Sequence, residues 1–392
     1  MNGGRVFIVA LLLGAFLAPI SPASSDEASD AHPAGACSAP FYVTGAGWDF
    51  CWQQDDPRAQ GLELNQVYFQ GQSVVWKMGN PFSMTKYDTP LIGPYKDTLG
   101  SPGAGGHPGY GLGSMVLPLG SCPRFFGGTG TLLNGGKICV ETRGGPEPAV
   151  AIWTRYNIYN YRFMHGYILD SRGHIEPIIR LGGLLIDGNG GAAGNNHFHH
   201  LLFRVDFDIG PAGNDQFQSF QRVVGGAQAS GAHVNSPLCE TADGAGSASI
   251  WCGHLVEGTL LYDPVVFSKW RVRDTASTNS VGRPQSFEFK IGSDGAADYF
   301  SSFDVMVVQY VGDSSELGYE VGTNPFEGDK MVYRYLAPGT SGVITDPVVW
   351  MTFHSYHDTR DEDRSSMSYH HVSPEIQPNN FFATNPGEGT YP

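Results

Sequence analysis

The run Asn-Asn-His-Phe-His-His-Leu-Leu-Phe-Arg-Val-Asp-Phe-Asp-Ile, residues 195–209, decides how this chain folds. Its apolar and polar residues alternate, which predicts a β-strand. Side chains two residues apart point to the same face of a strand, so His197 and His199 stand side by side while His200 points away. Two neutral imidazoles on one face are half of a ligand set for copper, zinc or iron. A strand that exposes two polar side chains to water is the alternative.

Strand-like runs and turns make up the rest of the chain. Its 392 residues include 53 glycines and 26 prolines, and only 16% are charged. Short runs such as 62–69, 271–273 and 286–291 alternate like strands and are separated by Gly, Pro, Asn and Asp. No long amphipathic helical stretch is present. We therefore predict an all-β fold, a large β-sandwich with few short helices.

The N-terminus has the pattern of an export signal over residues 1–23. Arg5 supplies a positive charge, 6–20 is an apolar core too short to span a membrane, and small residues at 21–23 offer a cleavage site. Residues 24–46 form a Ser, Asp, Ala and Pro-rich lead-in that we expect to be disordered. The β-sandwich domain is expected over 47–392. The mature protein is therefore expected to be secreted or periplasmic.

Six cysteines in an exported chain favour three disulfides. The simplest pairing is local, although spacing alone leaves other connectivities open. The local pairs are Cys37–Cys51, Cys122–Cys139 and Cys239–Cys252. The formal net charge of −15 makes a nucleic-acid partner unexpected.

A third metal ligand must come from another part of the chain. The segment 346–363 contains an apolar strand that runs into His354 and His357, and His370 and His371 follow in a more polar segment. From the sequence of this segment, His354 and His357 are nearly equal candidates for the third ligand.

The order of motifs along the chain resembles the catalytic β-sandwich domain of the copper-containing amine oxidases. The resemblance runs from about Trp48 to Pro386, and the small N-terminal domains of that family are missing. The matching segments, in order, are Asp56-Pro-Arg-Ala-Gln-Gly-Leu-Glu-Leu64, Pro94-Tyr-Lys-Asp97, Tyr110-Gly-Leu-Gly113, Leu119-Gly-Ser-Cys122, Ile138-Cys-Val140, Asn160-Tyr161, Gly173-His-Ile-Glu176, His197-Phe-His199, Arg204-Val-Asp-Phe-Asp208, Trp270-Arg-Val272, Gly282-Arg-Pro284, His357-Asp-Thr-Arg-Asp-Glu-Asp363 and Pro378-Asn-Asn-Phe-Phe-Ala-Thr-Asn-Pro386.

The resemblance implies a copper and quinone site. His197, His199 and His357 stand where the family has its copper ligands, which favours His357 over His354. Tyr161, directly after Asn160, stands where the family oxidises a tyrosine to topaquinone. A packed aromatic in a tyrosine-rich strand is the alternative for Tyr161.

Further residues take family roles by the same resemblance. Tyr95 corresponds to a tyrosine that hydrogen-bonds the quinone oxygen, and Cys122–Cys139 corresponds to a family disulfide. Asp206, Asp208 and Asp346, with the backbone carbonyls of Phe207 and Pro347, match a peripheral calcium site. Carboxylate and carbonyl oxygens suit Ca²⁺. A solvated acidic strand edge is the alternative for these aspartates.

Two departures from the family pattern concern the chemistry. Arg162 replaces the acid that follows the oxidised tyrosine, and Gly106 occupies the position of the aspartate that takes the α-proton of the substrate. Asp97 or His107 could take over the role of that base if the loop at 100–109 folds suitably.

The expected function is therefore copper and topaquinone-dependent oxidation of a primary amine to an aldehyde, ammonia and hydrogen peroxide. The expected partners are a small primary amine and dioxygen, and the chain is expected to form a homodimer. Neither a membrane nor a nucleic acid is an expected partner. The alternative is a diverged copper-binding family member without amine oxidase activity, because the family base position is Gly106.

Overall fold

The protein is described from a computed structural model. It describes residues 37, 41–54, 61–88, 95–98, 115–116, 119, 122, 125–126, 129–158, 161–184, 196–210, 214–222, 239–241, 249–262, 268–291, 302–310, 344–360 and 367–386.

Regular structure in these ranges is almost entirely β-strand. The strands are β1 (Tyr42–Gly45), β2 (Trp48–Gln53), β3 (Glu63–Phe69), β4 (Gln72–Tyr87), β5 (Tyr95–Thr98), β6 (Met115–Val116), β7 (Thr129–Leu133), β8 (Ile138–Arg143), β9 (Ala149–Ile158), β10 (Tyr161–Asp170), β11 (Ile175–Gly183), β12 (His197–Phe207), β13 (Asp215–Arg222), β14 (Cys239–Thr241), β15 (Ser249–Gly253), β16 (Gly258–Leu260), β17 (Trp270–Thr278), β18 (Pro284–Lys290), β19 (Val305–Gln309), β20 (Pro347–His357), β21 (Met367–Val372) and β22 (Glu375–Asn379). A 3₁₀ turn covers Asn134–Gly136. Within the described ranges, no helix is long and apolar enough to span a membrane.

The strands form two antiparallel sheets. The first sheet has nine strands in the order β1-β2-β3-β4-β12-β20-β19-β16, with β5 paired to β4. The second has thirteen strands in the order β14-β15-β13-β17-β18-β22-β11-β10-β9-β8-β7, with β21 paired to β11 and β6 to β9. The prediction of a large all-β sandwich is confirmed.

One core joins the facing sides of the two sheets. From the first sheet, Leu201, Phe203 and Phe353 enter it, and from the second sheet Phe163 and Tyr167 do. Alternate residues of the first sheet pack on its other side, in a smaller apolar layer that contains Leu202, Trp350 and Met84. Strands β12 and β20 are therefore buried on both faces, which explains their long apolar runs.

Two of the three predicted local disulfides are confirmed. Cys37–Cys51 and Cys122–Cys139 are bonded. Cys252 is also disulfide-bonded, and its cross-strand partner in the register of β14 and β15 is Cys239. Among the cysteines whose side chains the structure describes, none is free.

The prediction that residues 24–46 are disordered is wrong at the C-terminal end of this segment. Residues 42–45 form β1, which pairs with β2 from Tyr42 opposite Cys51 to Gly45 opposite Trp48. The Cys37–Cys51 bond and this pairing fix the segment to the first sheet. The Cys37–Cys51 bond is among the predicted pairs, but the composition of the segment did not reveal the strand pairing.

Candidate metal centre

Three neighbouring strands of the first sheet carry the side chains of the centre. In β12, His197 stands directly opposite Tyr87 of β4 on one side and His357 of β20 on the other. Two residues further along β12, His199 stands opposite Thr85 and Ser355. Directly opposite residues of an antiparallel pair share a face. The register therefore gathers these side chains on the side of the sheet that faces the core.

The three histidines present converging nitrogen atoms. The Nε2 of His197 lies 3.0 Å from Nε2 of His199 and 3.3 Å from Nδ1 of His357. Nitrogen atoms bound to one metal ion at about 2.0–2.1 Å lie roughly 3 Å apart, so these separations fit one ion. All three side chains are buried, with 0–1% of their surface exposed. Their ligand atoms form one of two three-residue groups in the described ranges that could hold a metal, and the second contains the Cys122–Cys139 disulfide.

Tyr161 reaches the same point from the opposite sheet. It is the first residue of β10, and its phenol oxygen lies 2.7 Å from His197 Nε2. Its ring meets the ring of His199 edge-on at a centroid distance of 5.2 Å. Only 5% of Tyr161 is exposed. The phenol oxygen is therefore a fourth donor beside the three imidazoles.

Two side chains that sequence reasoning missed complete the surroundings of the histidines. The Tyr87 hydroxyl lies 3.5 Å from the Tyr161 hydroxyl, and its ring packs on His197 at a centroid distance of 4.8 Å. Thr85 Oγ1 lies 3.3 Å from Nδ1 of His199. If His199 donates its Nδ1 proton to Thr85, the lone pair of Nε2 points to the centre. The i, i+2 spacing of Thr85 and Tyr87 matches that of the histidines, but only the long-range pairing of β4 with β12 shows its meaning.

The structure separates His354 from His357. His354 stands opposite His200 and lies on the other side of the sheet, where their Nδ1 atoms are 2.7 Å apart. His200 therefore points away from the centre, as the alternation along the strand predicts. His370 and His371 belong to β21 of the second sheet, opposite Leu181 and Arg180, and their side chains lie outside the described residues.

The other predicted catalytic residues are only partly described. Asn160 and His107 lie outside the described residues. Tyr95 and Asp97 have their backbones in β5, where Tyr95 stands opposite Thr85 and Asp97 opposite Ser83. The described residues do not include their side chains, and their roles stay predictions.

The aspartates predicted to bind calcium divide into two environments. Asp206 lies 3.3 Å from the Arg204 guanidinium, and both are buried. Asp208 accepts a hydrogen bond from Ser73 at 3.1 Å. The oxygen atoms of Asp206, Asp208 and Asp346 do not form a cluster within 4.8 Å in the described part of the chain.

Two further aspartates, missed at the sequence level, share the environment of Asp208. Asp215 and Asp274 stand directly opposite each other on β13 and β17, and both are buried. Burial, followed by the charges of Asp208, Asp274 and Asp346, raises the pKa of Asp215 to about 9, although the Ile209 N–H donates to it. In the described structure one oxygen of each, Asp215 Oδ1 and Asp274 Oδ2, has no hydrogen-bond partner.

Comparisons with known proteins bear on this geometry. The family model described as copper amine oxidase, enzyme domain, matches residues 146–391. The copper-containing benzylamine oxidase from Hansenula polymorpha has a TM-score of 0.67 at 18% identity, over 90% of this chain and 61% of that chain. The lysyl oxidase from Pichia pastoris has a TM-score of 0.63 at 16% identity, over 89% and 53%. The Aspergillus nidulans amine oxidase has a TM-score of 0.57 at 16% identity, again over 89% and 53%. No curated protein sequence matches.

The likeness to these structures shows the fold, and the chain spans 53–61% of their lengths. The family match covers more than half of the chain and includes Tyr161, both histidines of β12 and His357. The chain belongs to the copper amine oxidase family.

Proposed function

We propose that this chain is an exported, copper-dependent primary-amine oxidase in which Tyr161 is the precursor of topaquinone. The observation that supports this most directly is the 2.7 Å contact between the Tyr161 phenol oxygen and His197 Nε2, inside a buried three-histidine cluster. The residues present fit copper, because imidazole nitrogen is a preferred copper ligand and a phenol oxygen stands beside the ligand atoms. When bound, copper would supply the redox chemistry by which dioxygen oxidises Tyr161 to the quinone and by which the electrons that the quinone takes from the amine reach dioxygen.

The protein's own residues hold the tyrosine and the imidazoles in place. In the metal-free centre, His197 Nε2 can accept the phenol proton of Tyr161 in a hydrogen bond. Tyr87 packs on His197 and approaches the same phenol oxygen, so it limits the rotation of both rings. Thr85 orients His199. Because all of these groups are buried, the water that would compete for the metal and the phenol is largely excluded.

The base that takes the α-proton is proposed to be Asp97. Its backbone lies in β5, which pairs with β4, the strand that carries Thr85 and Tyr87. A carboxylate beside the reacting carbon supplies about 10²- to 10⁴-fold as a general base. His107 is the second candidate. If neither acts, the diverged copper protein without oxidase activity becomes the better description, in line with Gly106 at the family base position.

We also propose that the chain forms a homodimer and is exported to an oxidising compartment. The signal-like residues 1–23 support export to the periplasm or the medium, and so does the absence of a free cysteine among the described side chains. The substrate is proposed to be a small primary amine.

A calcium ion near the C-terminal end of β12 is also proposed. Its support is the buried pair Asp215 and Asp274, each with an unpartnered oxygen, together with the nearby charges of Asp208 and Asp346. Like charges that face each other in a buried site repel unless a cation or a proton lies between them. Carboxylate oxygens are the ligands that Ca²⁺ prefers.

Oxidation of Tyr161 to a quinone is tested by colour. Copper-free protein exposed to copper and air should turn pink, and phenylhydrazine should then give a coloured adduct. Tyr161→Phe should abolish both signals, because the ring loses the oxygen that is oxidised. Tyr167→Phe, a change at a buried tyrosine of the same face of β10, should keep both. A wild-type protein that binds copper and stays colourless in air contradicts the quinone assignment.

Proton abstraction by Asp97 is tested by peroxide release from simple primary amines. Asp97→Asn should lower turnover at least tenfold and leave the quinone colour intact. Asp88→Asn is the matched control, because Asp88 directly follows β4 and its side chain accepts a hydrogen bond from the Tyr356 hydroxyl, away from the centre. If Asp97→Asn has no effect and His107→Ala lowers turnover instead, the base is His107.

Calcium binding is tested by the pH dependence of unfolding in copper-free protein. The folded pKa of Asp215, about 9, exceeds its ordinary value of 3.8. The folded state therefore holds a proton that the unfolded state releases, and the free energy of unfolding should fall as pH rises between these values, by up to about 1.4 kcal/mol per pH unit. Calcium competes with that proton, so its stabilisation should be larger at pH 8 than at pH 5.

Urea unfolding with calcium or a chelator measures this effect. Asp215→Asn should reduce both the pH slope and the response to calcium. An unfolding midpoint at pH 8 that does not respond to calcium contradicts the site.

A further inference from the structure

We infer that Asp304, His354 and His200 form a chain of polar contacts that positions the copper ligands from the back of the first sheet. The inference rests on the proposed copper site, because the positioned groups are His197, His199 and His357.

The chain is continuous and buried. His354 Nε2 lies 3.1 Å from Asp304 Oδ1, and His354 Nδ1 lies 2.7 Å from His200 Nδ1. Both histidines are 0% exposed, and Asp304 is 5% exposed. A proton on His354 Nε2 lies close to the Asp304 carboxylate but outside hydrogen-bond geometry with it, and Nδ1 is then the acceptor for the Nδ1–H of His200. One arrangement of protons is therefore compatible with both contacts.

Asp304 is fixed at the start of this chain by its own backbone and side chain. Its N–H donates to the Leu260 carbonyl at 3.1 Å, and its carbonyl accepts from Thr352 N–H at 2.8 Å. Its Oδ2 accepts from the Tyr262 N–H at 2.6 Å. The carboxylate that receives His354 is thus held against both β16 and β20.

The same pair of strands carries the chain on one face and the metal ligands on the other. The register that places His197 opposite His357 also places His200 opposite His354. A two-residue slip between β12 and β20 would separate His197 from His357. The same slip would break the His200–His354 contact and leave polar groups without partners in the apolar layer of Leu202 and Trp350. The chain therefore favours the one register that assembles the centre.

The geometry differs from that of a second metal site. Asp304 approaches Nε2 of His354, whereas His200 approaches Nδ1 on the other side of the same ring. The three groups consequently lie in a line and do not converge on one point. Their role is to position the strands, and none of them touches Tyr161 in the described structure.

The test compares His354→Leu, His354→Gln and the control Thr352→Val, a polar-to-apolar change at a buried residue of the same strand face. The amide of glutamine can donate to Asp304 and accept from His200, whereas leucine can do neither. Two quantities are measured: copper affinity, by competition with a chelator, and amide hydrogen exchange of residues 199–205 in copper-free protein.

His354→Leu should bind copper about tenfold more weakly than wild type, the lower end of the effect usual for groups that support metal ligands. Its amides at 199–205 should exchange faster. His354→Gln and Thr352→Val should remain close to wild type in both measurements. If His354→Leu does not fold, His200→Phe gives the same comparison, because it keeps a ring beside Phe198 and loses the Nδ1 donor.

Wild-type affinity and exchange in His354→Leu would overturn the inference, and so would equal losses in the leucine and glutamine variants. A second copper equivalent that disappears in His354→Leu would also overturn it, in favour of a metal site. If wild-type protein binds no copper, the proposed function fails, and the exchange measurement still decides whether the chain positions β12.

Discussion

The metal centre depends on the separation of the two sheets. Packed β-sheets lie about 10 Å apart, a distance that side chains from both sides can bridge. His197, His199 and His357 project from one sheet, and Tyr161 projects from the other to within 2.7 Å of His197. The apolar core shared by the sheets holds this spacing. A loss of core packing would therefore separate the tyrosine from the imidazoles without any change in the site residues themselves.

Strand register is the second determinant. A β-strand changes faces at every residue, so a one-residue slip of β12 would turn His197 and His199 out of the core. Their neighbours in β4 and β20 are equally dependent on register, because Tyr87 and His357 both stand opposite His197. Residues that contact neither metal nor substrate, such as the Asp304–His354–His200 chain, can thus influence the centre.

Much of the fold could be predicted from the sequence, because alternation and turn residues are local signals. The all-β class, the shared face of His197 and His199 and two of the local disulfides follow from such patterns and are found in the structure. His354 and His357 are three residues apart, so they lie on opposite faces of the strand. Local spacing did not show which of these faces meets the core, and only the family resemblance favoured His357. The register of β12 with β20 places His357 on the core face.

The site residues that the sequence did not reveal are brought together by the pairing of strands that are far apart in the chain. Tyr87 and Thr85 are 110 or more residues from His197 in the chain and meet the histidines only because β4 pairs with β12. Asp215 and Asp274 likewise come together through the β13–β17 pairing. Such contacts leave no periodic signal in the sequence. The family pattern directed attention to Asp206, which the structure pairs with Arg204.

The central claim is that one copper ion binds between the two sheets at the three histidines. Anomalous X-ray diffraction at the copper absorption edge, on crystals of copper-loaded protein, tests it most directly. The account predicts one strong anomalous peak per chain within bonding distance of His197 Nε2, His199 Nε2 and His357 Nδ1. A peak at another group of side chains, or no peak in protein that is shown to be folded, would contradict it.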